Sequence, residues 1–367
     1  MIGVADLYVL GGGQPGMALQ RPVVLPRAKA LPAVLAAVLA VLTAGCGRRA
    51  AEWKETRTLM GTLVSVTAVA GAEDVARAAV EAAFGAVARV EGLMSLHDEA
   101  SELSLVNAGA GEGLVAVSAE TFSVLEAALG YCEASGGAFD VTVGPLVRAW
   151  GFYRSGEAGV PPEVAIAALL PSVGWETVKL EPESRAVSFA REGMEIDLGA
   201  IAKGYAADVA AEAALAAGAR AVLVDAGGDI RCAGLTAQGC PWRIGVQHPR
   251  RRGELVGVLE ITDRAVTTSG DYERFFVYDG VRYAHIIDPR TGWPVANGVE
   301  SVTVLAPTAM QADALSTSLF VLGPVEGLAL AGEYPGVSAL IMTADPLDPG
   351  RLVYHRTPDL ADLELSQ

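Results

Sequence analysis

The chain is poor in the side chains that build metal and redox centres, with 4 histidines and 4 cysteines in 367 residues. No cysteine pair has zinc-finger spacing, which argues against a structural zinc site. Basic residues are also short, 27 Lys and Arg against 43 Asp and Glu. Such a negative field repels phosphate backbones, so nucleic-acid binding is disfavoured. No G-x-G-x-x-G stands at a strand–helix junction and there is no G-x-x-x-x-G-K-[ST]; Lys203-Gly204 reverses the order a phosphate loop needs. Rossmann and P-loop readings are therefore set aside. Internal repeats, heptads and low-complexity tracts are lacking as well. What remains is rich in alanine, glycine and valine with scattered aromatics, the composition of a globular protein and not of a disordered one.

One apolar run does occur near the start. Leu31 to Ala44 follows Arg21, Arg27 and Lys29, is too short for a membrane span, and leads through Ala44-Gly45 to Cys46. This resembles a bacterial lipoprotein signal with Cys46 as the lipid-carrying residue, although Thr43 stands where an aliphatic residue is usual; a plain secretory signal is the alternative. Met1 to Gly16 fit no signal region, which makes Met17 the better start. The expected organisation is a signal over 1–46, a linker over 47–58, one large domain over 59–345 and a peripheral tail over 346–367. Cys232 and Cys240 either pair across a loop containing Gly234 and Gly239 or stay as free thiols.

Patterning predicts a half-buried strand from Thr62 through Val64, Val66 and Ala68, then a helix from Glu73 with Val75, Ala79, Ala83, Val87 and Val90 on one face. A polar, irregular surface segment follows up to Leu103. Ser118 caps a second helix that Gly136-Gly137 stops, Pro161-Pro162-Glu163 open a third, and strands at Val178–Leu180 and Val187–Phe189 lead to Met194–Asp208. That stretch reads as a strand, a small-residue turn and an alanine-rich helix running to about Gly218. Further strands are expected at 221–224, 242–246, 255–261, 275–278, 282–287, 302–306 and 337–342, with a helix over 309–322. Strand clusters separated by helices, without regular βαβ alternation, imply an α+β single domain of antiparallel and mixed sheets flanked by helices.

Three places offer chemistry. At the turn of Asp197–Asp208, unpaired helix amides and Lys203 suit an anion, unless this is an ordinary strand-to-helix connection. Asp313 and Thr317 share one helix face a turn apart, a hard-oxygen pair that suits magnesium or else forms a solvated edge. His285, at a strand end beside Asp288-Pro289, is a candidate general base or a hydrogen-bonded structural histidine.

Taken together, Met60-Gly61-Thr62, Ser101-Glu102-Leu103 with Asn107, Gly137-Ala138-Phe139-Asp140, Asp197 to Asp208, Gly227-Gly228-Asp229, Thr268 to Tyr272, His285 to Gly292, and Ala312-Asp313-Ala314 with Thr317 follow one another in the order found in the FAD:protein FMN transferases. On these motifs the chain resembles the ApbE family over nearly its whole mature length. The resemblance implies an ApbE-like fold and an enzyme dependent on magnesium, with manganese as the alternative. Its reaction would move FMN from FAD to a threonine of an extracytoplasmic acceptor flavoprotein, through a phosphoester bond and with release of AMP. It implies Asp313, Thr317 and the Ala200 carbonyl as metal ligands. Met60, Ala138, Phe139, Asp140, Asp197, Lys203 and Ile287 would line the FAD site, and His285 would be the base.

Two positions depart from the family's pattern. His97 stands where many relatives carry tyrosine, in a place that would stack on FAD, and Asp225 replaces an asparagine, adding a negative charge expected to loosen FAD binding or to need a compensating cation. Family acceptors carry a Ser/Thr-Gly-Ala-Thr-like sequence that this chain lacks, which makes it the enzyme and not its own acceptor. With the signal, the expectation is an enzyme lipid-anchored on the extracytoplasmic face of a bacterial membrane. The rival readings are a lipoprotein that only binds flavin, an FAD pyrophosphatase yielding FMN and AMP, and, more remotely, a solute-binding lipoprotein.

Overall fold

The computed structural model describes residues 8–9, 50–153, 158–348 and 350–365. The proposed signal and Cys46 lie outside these. Eight strands, β1 (Ala51–Leu59), β2 (Thr62–Ala70), β3 (Ala221–Ala226), β4 (Asp229–Ala233), β5 (Ala265–Gly270), β6 (Val299–Ala306), β7 (Ser338–Ala344) and β8 (Leu352–Arg356), form the main sheet. Their order across the sheet is their order along the chain. Every neighbouring pair is antiparallel. β6 is buried at every position, as a central strand covered on both faces must be.

Helices α1 (Glu73–Met94), α2 (Glu102–Ala108) and α3 (Ala119–Ala134) follow β2 in the chain. Next come two short ones, α4 (Gly144–Ala149) and α5 (Glu163–Leu169), then α6 (Ala202–Ala216), and after β6 α7 (Ala309–Glu333). Val64, Val66, Val224 and Val304 of the sheet and Ala79, Val80, Ala207 and Leu315 of the helices join in the larger core. On the other face, Ile230, Val266, Leu305 and Leu340 meet the hairpin Trp242–Gln247/Leu255–Ile261, to which Tyr8–Val9 adds a short third strand. A satellite cluster centred on Leu146, Trp150, Ile166 and Ile287 sits at one end. The predicted antiparallel, helix-flanked α+β domain is this structure.

Ser101 and Ser118 accept the amides of Ser104 and Thr121, capping α2 and α3. At the far end of α3, Gly136 and Gly137 both have positive φ. Their amides donate to Glu133 and Cys132, a Schellman stop as the glycine pair foretells. Some sequence expectations differ from the structure. The linker 47–58 is mostly β1, an edge strand whose burial alternates while charges at Glu52, Lys54 and Arg57 disguise it. The tail 346–367 is not peripheral: β8 pairs with β7, and Leu360 packs on the second core. β5 was not expected because Ala-Val-Thr-Thr-Ser-Gly is small and polar, yet the hydroxyls of Thr268 and Ser269 are spent on Thr303 and Ser316, each within 2.9 Å, while the Thr267 hydroxyl is buried without a hydrogen-bond partner. Finally, α7 does not end at Leu322; it breaks at Gly323 (φ 78°) and resumes from Pro324 to Glu333. Cys132, Cys232 and Cys240 are free thiols, so Cys232 and Cys240 do not pair.

Candidate active site

The site begins with two tight turns. Met60 (φ 52°) and Gly61 (φ 67°) join β1 to β2 across the pair Leu59–Thr62, the two positive φ values of a type I′ hairpin turn. Gly227 and Gly228, also of positive φ, join β3 to β4 in the same way. The double glycine that resembles a nucleotide turn is therefore a hairpin turn. A Cβ on Gly227 would lie 2.4 Å from Thr62 Oγ1, so the turns touch only because the residue is glycine. Asp225 directs its carboxylate back into this turn, accepting the Gly228 amide at 2.8 Å, and is not among the residues lining the cavity below.

Next to these turns α6 crosses α7. A Cβ on Gly204 would stand 2.2 Å from the Ala309 carbonyl oxygen, so only glycine allows this approach. Asp208, one turn further along α6, accepts the Ala309 and Met310 amides at 2.8 and 2.9 Å and thereby caps α7. With α7 so placed, Asp313 accepts the Gly204 amide at 3.1 Å. Lys203 Nζ lies 2.5 Å from Asp229 and 3.5 Å from Asp313. Both carboxylates are buried. Burial, then the Asp229 charge, push the Asp313 carboxyl up to about 7 against the pull of Lys203. Burial alone would lower the Lys203 ammonium, but the two carboxylates outweigh it and hold it raised and charged.

Across the cavity His285 is built onto the backbone of Arg274, whose carbonyl oxygen receives its amide at 2.9 Å and its Nδ1 at 3.1 Å. A carbonyl only accepts, so the proton sits on Nδ1 and the Nε2 lone pair is left over. Burial and the Arg274 guanidinium lower the imidazole to about 4, which keeps it neutral. Asp197 accepts Tyr153 Oη–H at 2.9 Å and the Gly199 amide at 2.7 Å, and burial raises its pKa. Asp140 spends its oxygens on Thr142 and on the Trp175 amide, holding the Ala138–Phe139 loop in shape. Asn107 exchanges two hydrogen bonds with the backbone of Ile196, just ahead of Asp197.

A cavity of about 570 Å³ opens between these elements. Met60, His97, Ala138, Phe139, Asp140, Asp197, Ala200, Lys203, His285, Ile287, Asp313 and Thr317 all line it, so every site residue expected from the sequence within the described range is brought to one place. His97 is exposed and meets Tyr153 edge to face, centroids 6.3 Å apart. Sequence reasoning missed Tyr153, Arg274 and the pairing of Asp229 with Lys203. For Asp229 a signal existed in the turn it follows; the Arg274 carbonyl carries none, because every residue has one.

The model of the ApbE family matches residues 60–341. The FAD:protein FMN transferase of Treponema pallidum (strain Nichols) is 39% identical over 320 residues, covering 82% of this chain and 87% of that protein. The protein of the same name from Vibrio cholerae is 40% identical over 240 residues, 65% of this chain and 71% of its own. Among solved structures, the ApbE protein from Thermotoga maritima superposes with a TM-score of 0.76 at 36% identity, over 86% of this chain and 99% of that one. The flavin transferase ApbE from Vibrio cholerae gives 0.76 at 32% identity with the same coverage. With its sequence, its sheet order and its assembled cavity in accord, the chain belongs to the ApbE family.

Proposed function

We propose that this enzyme transfers FMN from FAD to a threonine hydroxyl of an acceptor protein. The observation that carries the reading is a neutral His285, its Nε2 unspent, in one cavity with the Lys203–Asp229–Asp313 array. His285 takes the proton of the hydroxyl. The freed oxygen attacks the phosphorus of the FMN half, the P–O–P bond breaks, and AMP leaves with the electron pair. Lys203 stands where it steadies the negative pyrophosphate, held in place by Asp229. Asp197 and Tyr153 form a polar pair on the cavity wall, beside the exposed His97.

The donors present fit a hard divalent cation. Asp313, Thr317 and the Ala200 carbonyl offer only oxygens, and the buried Asp313 beside Asp229 is a carboxylate that a cation would relieve. Among the described residues no three His, Cys, Asp or Glu side chains gather into a metal cluster, which favours magnesium, completed by water and phosphate, over zinc. Such an ion would neutralise charge on the pyrophosphate. The apolar run before Cys46 supports a lipid-anchored enzyme on the extracytoplasmic face of a membrane, where an exported flavoprotein would be its acceptor.

The test is to incubate the full chain with FAD, magnesium and a synthetic peptide containing Ser-Gly-Ala-Thr. Release of AMP with covalently fluorescent peptide is the expected result. FMN and AMP with unmodified peptide would make the enzyme a pyrophosphatase, and FAD bound without turnover would leave it a flavin-binding protein.

A further inference from the structure

Between Arg274 and His285 the chain leaves the body of the protein as a hairpin, Phe275–Tyr278 paired with Val281–Ala284. Asp279-Gly280, both of positive φ, close it in a type I′ turn. One face is anchored: Phe276 and Tyr283 stack at 5.3 Å, Tyr283 stacks on the buried Trp150 at 5.5 Å, and the Trp150 indole donates to the Gly292 carbonyl at 2.9 Å. Alternation along the strands turns Phe275 and Val277 to the opposite face.

That face is open and mixed: Arg282, paired opposite Val277, lays its guanidinium over the Phe275 ring, 4.4 Å from the centroid. Phe275 is 42% exposed and Val277 60%; at the tip Tyr278 and Val281, which alternation puts on the side of Phe276 and Tyr283, are 54% and 52% exposed. Large exposed apolar residues elsewhere in the described chain are scattered along the sequence, whereas these four fall within seven positions. Scattered ones are ordinary, but a cluster marks an interaction surface. Both edges of the hairpin are also open: it is a two-stranded sheet, with no third strand on either side among the described residues. An uncovered apolar edge invites aggregation unless it has a use.

We infer that this hairpin is the docking platform for the acceptor polypeptide, an inference that rests on the transferase reading above. The base of the hairpin is part of the cavity wall, since Arg274 and His285 both line it and are joined through the Arg274 carbonyl. A protein hydroxyl that reaches His285 arrives at this base, so the exposed hairpin adjoins the place the acceptor must occupy. An extended acceptor segment adds to the open edge as a further strand, its backbone satisfying the unpaired groups. Apolar side chains at alternate positions of that segment rest on Phe275 and Val277, which brings its hydroxyl residue to the hairpin base. Because the aromatic stack fixes the platform beforehand, little ordering is needed on binding.

The experiment measures FMN transfer to a synthetic peptide containing Ser-Gly-Ala-Thr, flanked by alternating valines, for the full chain and for Phe275→Ser and Val277→Ser. The acceptor KM is expected to rise about tenfold in each variant, the scale of one well-packed interface contact. FAD affinity, read by fluorescence quenching, and kcat at saturating peptide should be retained. A photo-crosslinking residue in place of Val277 should capture the peptide, which keeps the test open if the serine variants fail to fold. Unchanged KM values with no capture, in a protein that does transfer FMN, would overturn the platform and leave the transferase reading standing. A parent chain that transfers no FMN overturns both.

Discussion

His285 shows how a residue acquires a role from atoms that are not side chains. Its ordinary pKa is 6.5 and burial next to Arg274 takes it to about 4. The imidazole is thus a competent base at any pH above about 4, and protonation removes it only as pH falls through that value. The kcat/KM for acceptor, followed between pH 8 and 4, should therefore show no loss with an apparent pKa near 6.5 that belongs to this group. Its replacement, His285→Gln, should cost about 10²- to 10⁴-fold in transfer while FAD binding persists. In the sequence His285 was legible as a base candidate from its position before Asp288-Pro289. The tautomer was not, because a backbone carbonyl decides it. Asp140 is the converse case: its motif marks the site, yet both of its oxygens serve the loop.

At the scale of elements, the crossing of α6 and α7 sets the geometry of the charged array. Gly204→Ala would drive a methyl into the Ala309 carbonyl and spread the helices, separating the Gly204 amide from Asp313. We expect a loss of about 3 kcal/mol in unfolding free energy by chemical denaturation, the upper range for overpacking, with FAD affinity falling in parallel. Retained stability and affinity would mean that the crossing is looser than described. The helices and their caps were readable from Ser118, Gly136-Gly137 and the 3.6-residue period, since those signals are local. β5 was not readable, because the hydroxyls of Thr268 and Ser269 find partners on β6 and α7, and only the folded chain brings these together. β1 hid behind the alternating charges of an edge.

For the whole molecule, the C-terminal segment closes the second core. Ending the chain at Ala344 would remove Leu352 and Leu360, both buried, and would bare the edge of β7. Burial of each leucine contributes about 1.5–3 kcal/mol, so the truncated chain should unfold at distinctly lower denaturant and tend to associate through β7. A chain of unchanged midpoint would return the tail to the peripheral place that its sequence suggested.

The sheet runs in chain order, but its spacing along the chain is uneven. β1 and β2 are joined by a two-residue turn, while β2 meets β3 by pairing Val69 with Ala221. Everything from α1 to α6 lies in that one excursion, including Phe139, Asp197, Ala200 and Lys203, whereas His285, Asp313 and Thr317 come after it. Closing so long a loop is slow relative to local pairing. On the transferase reading proposed above, a newly made chain should hold no FAD between the halves of its site until the β2–β3 seam has formed. Catalytic competence is then expected late in folding, with flavin capture as the reporter of that closure.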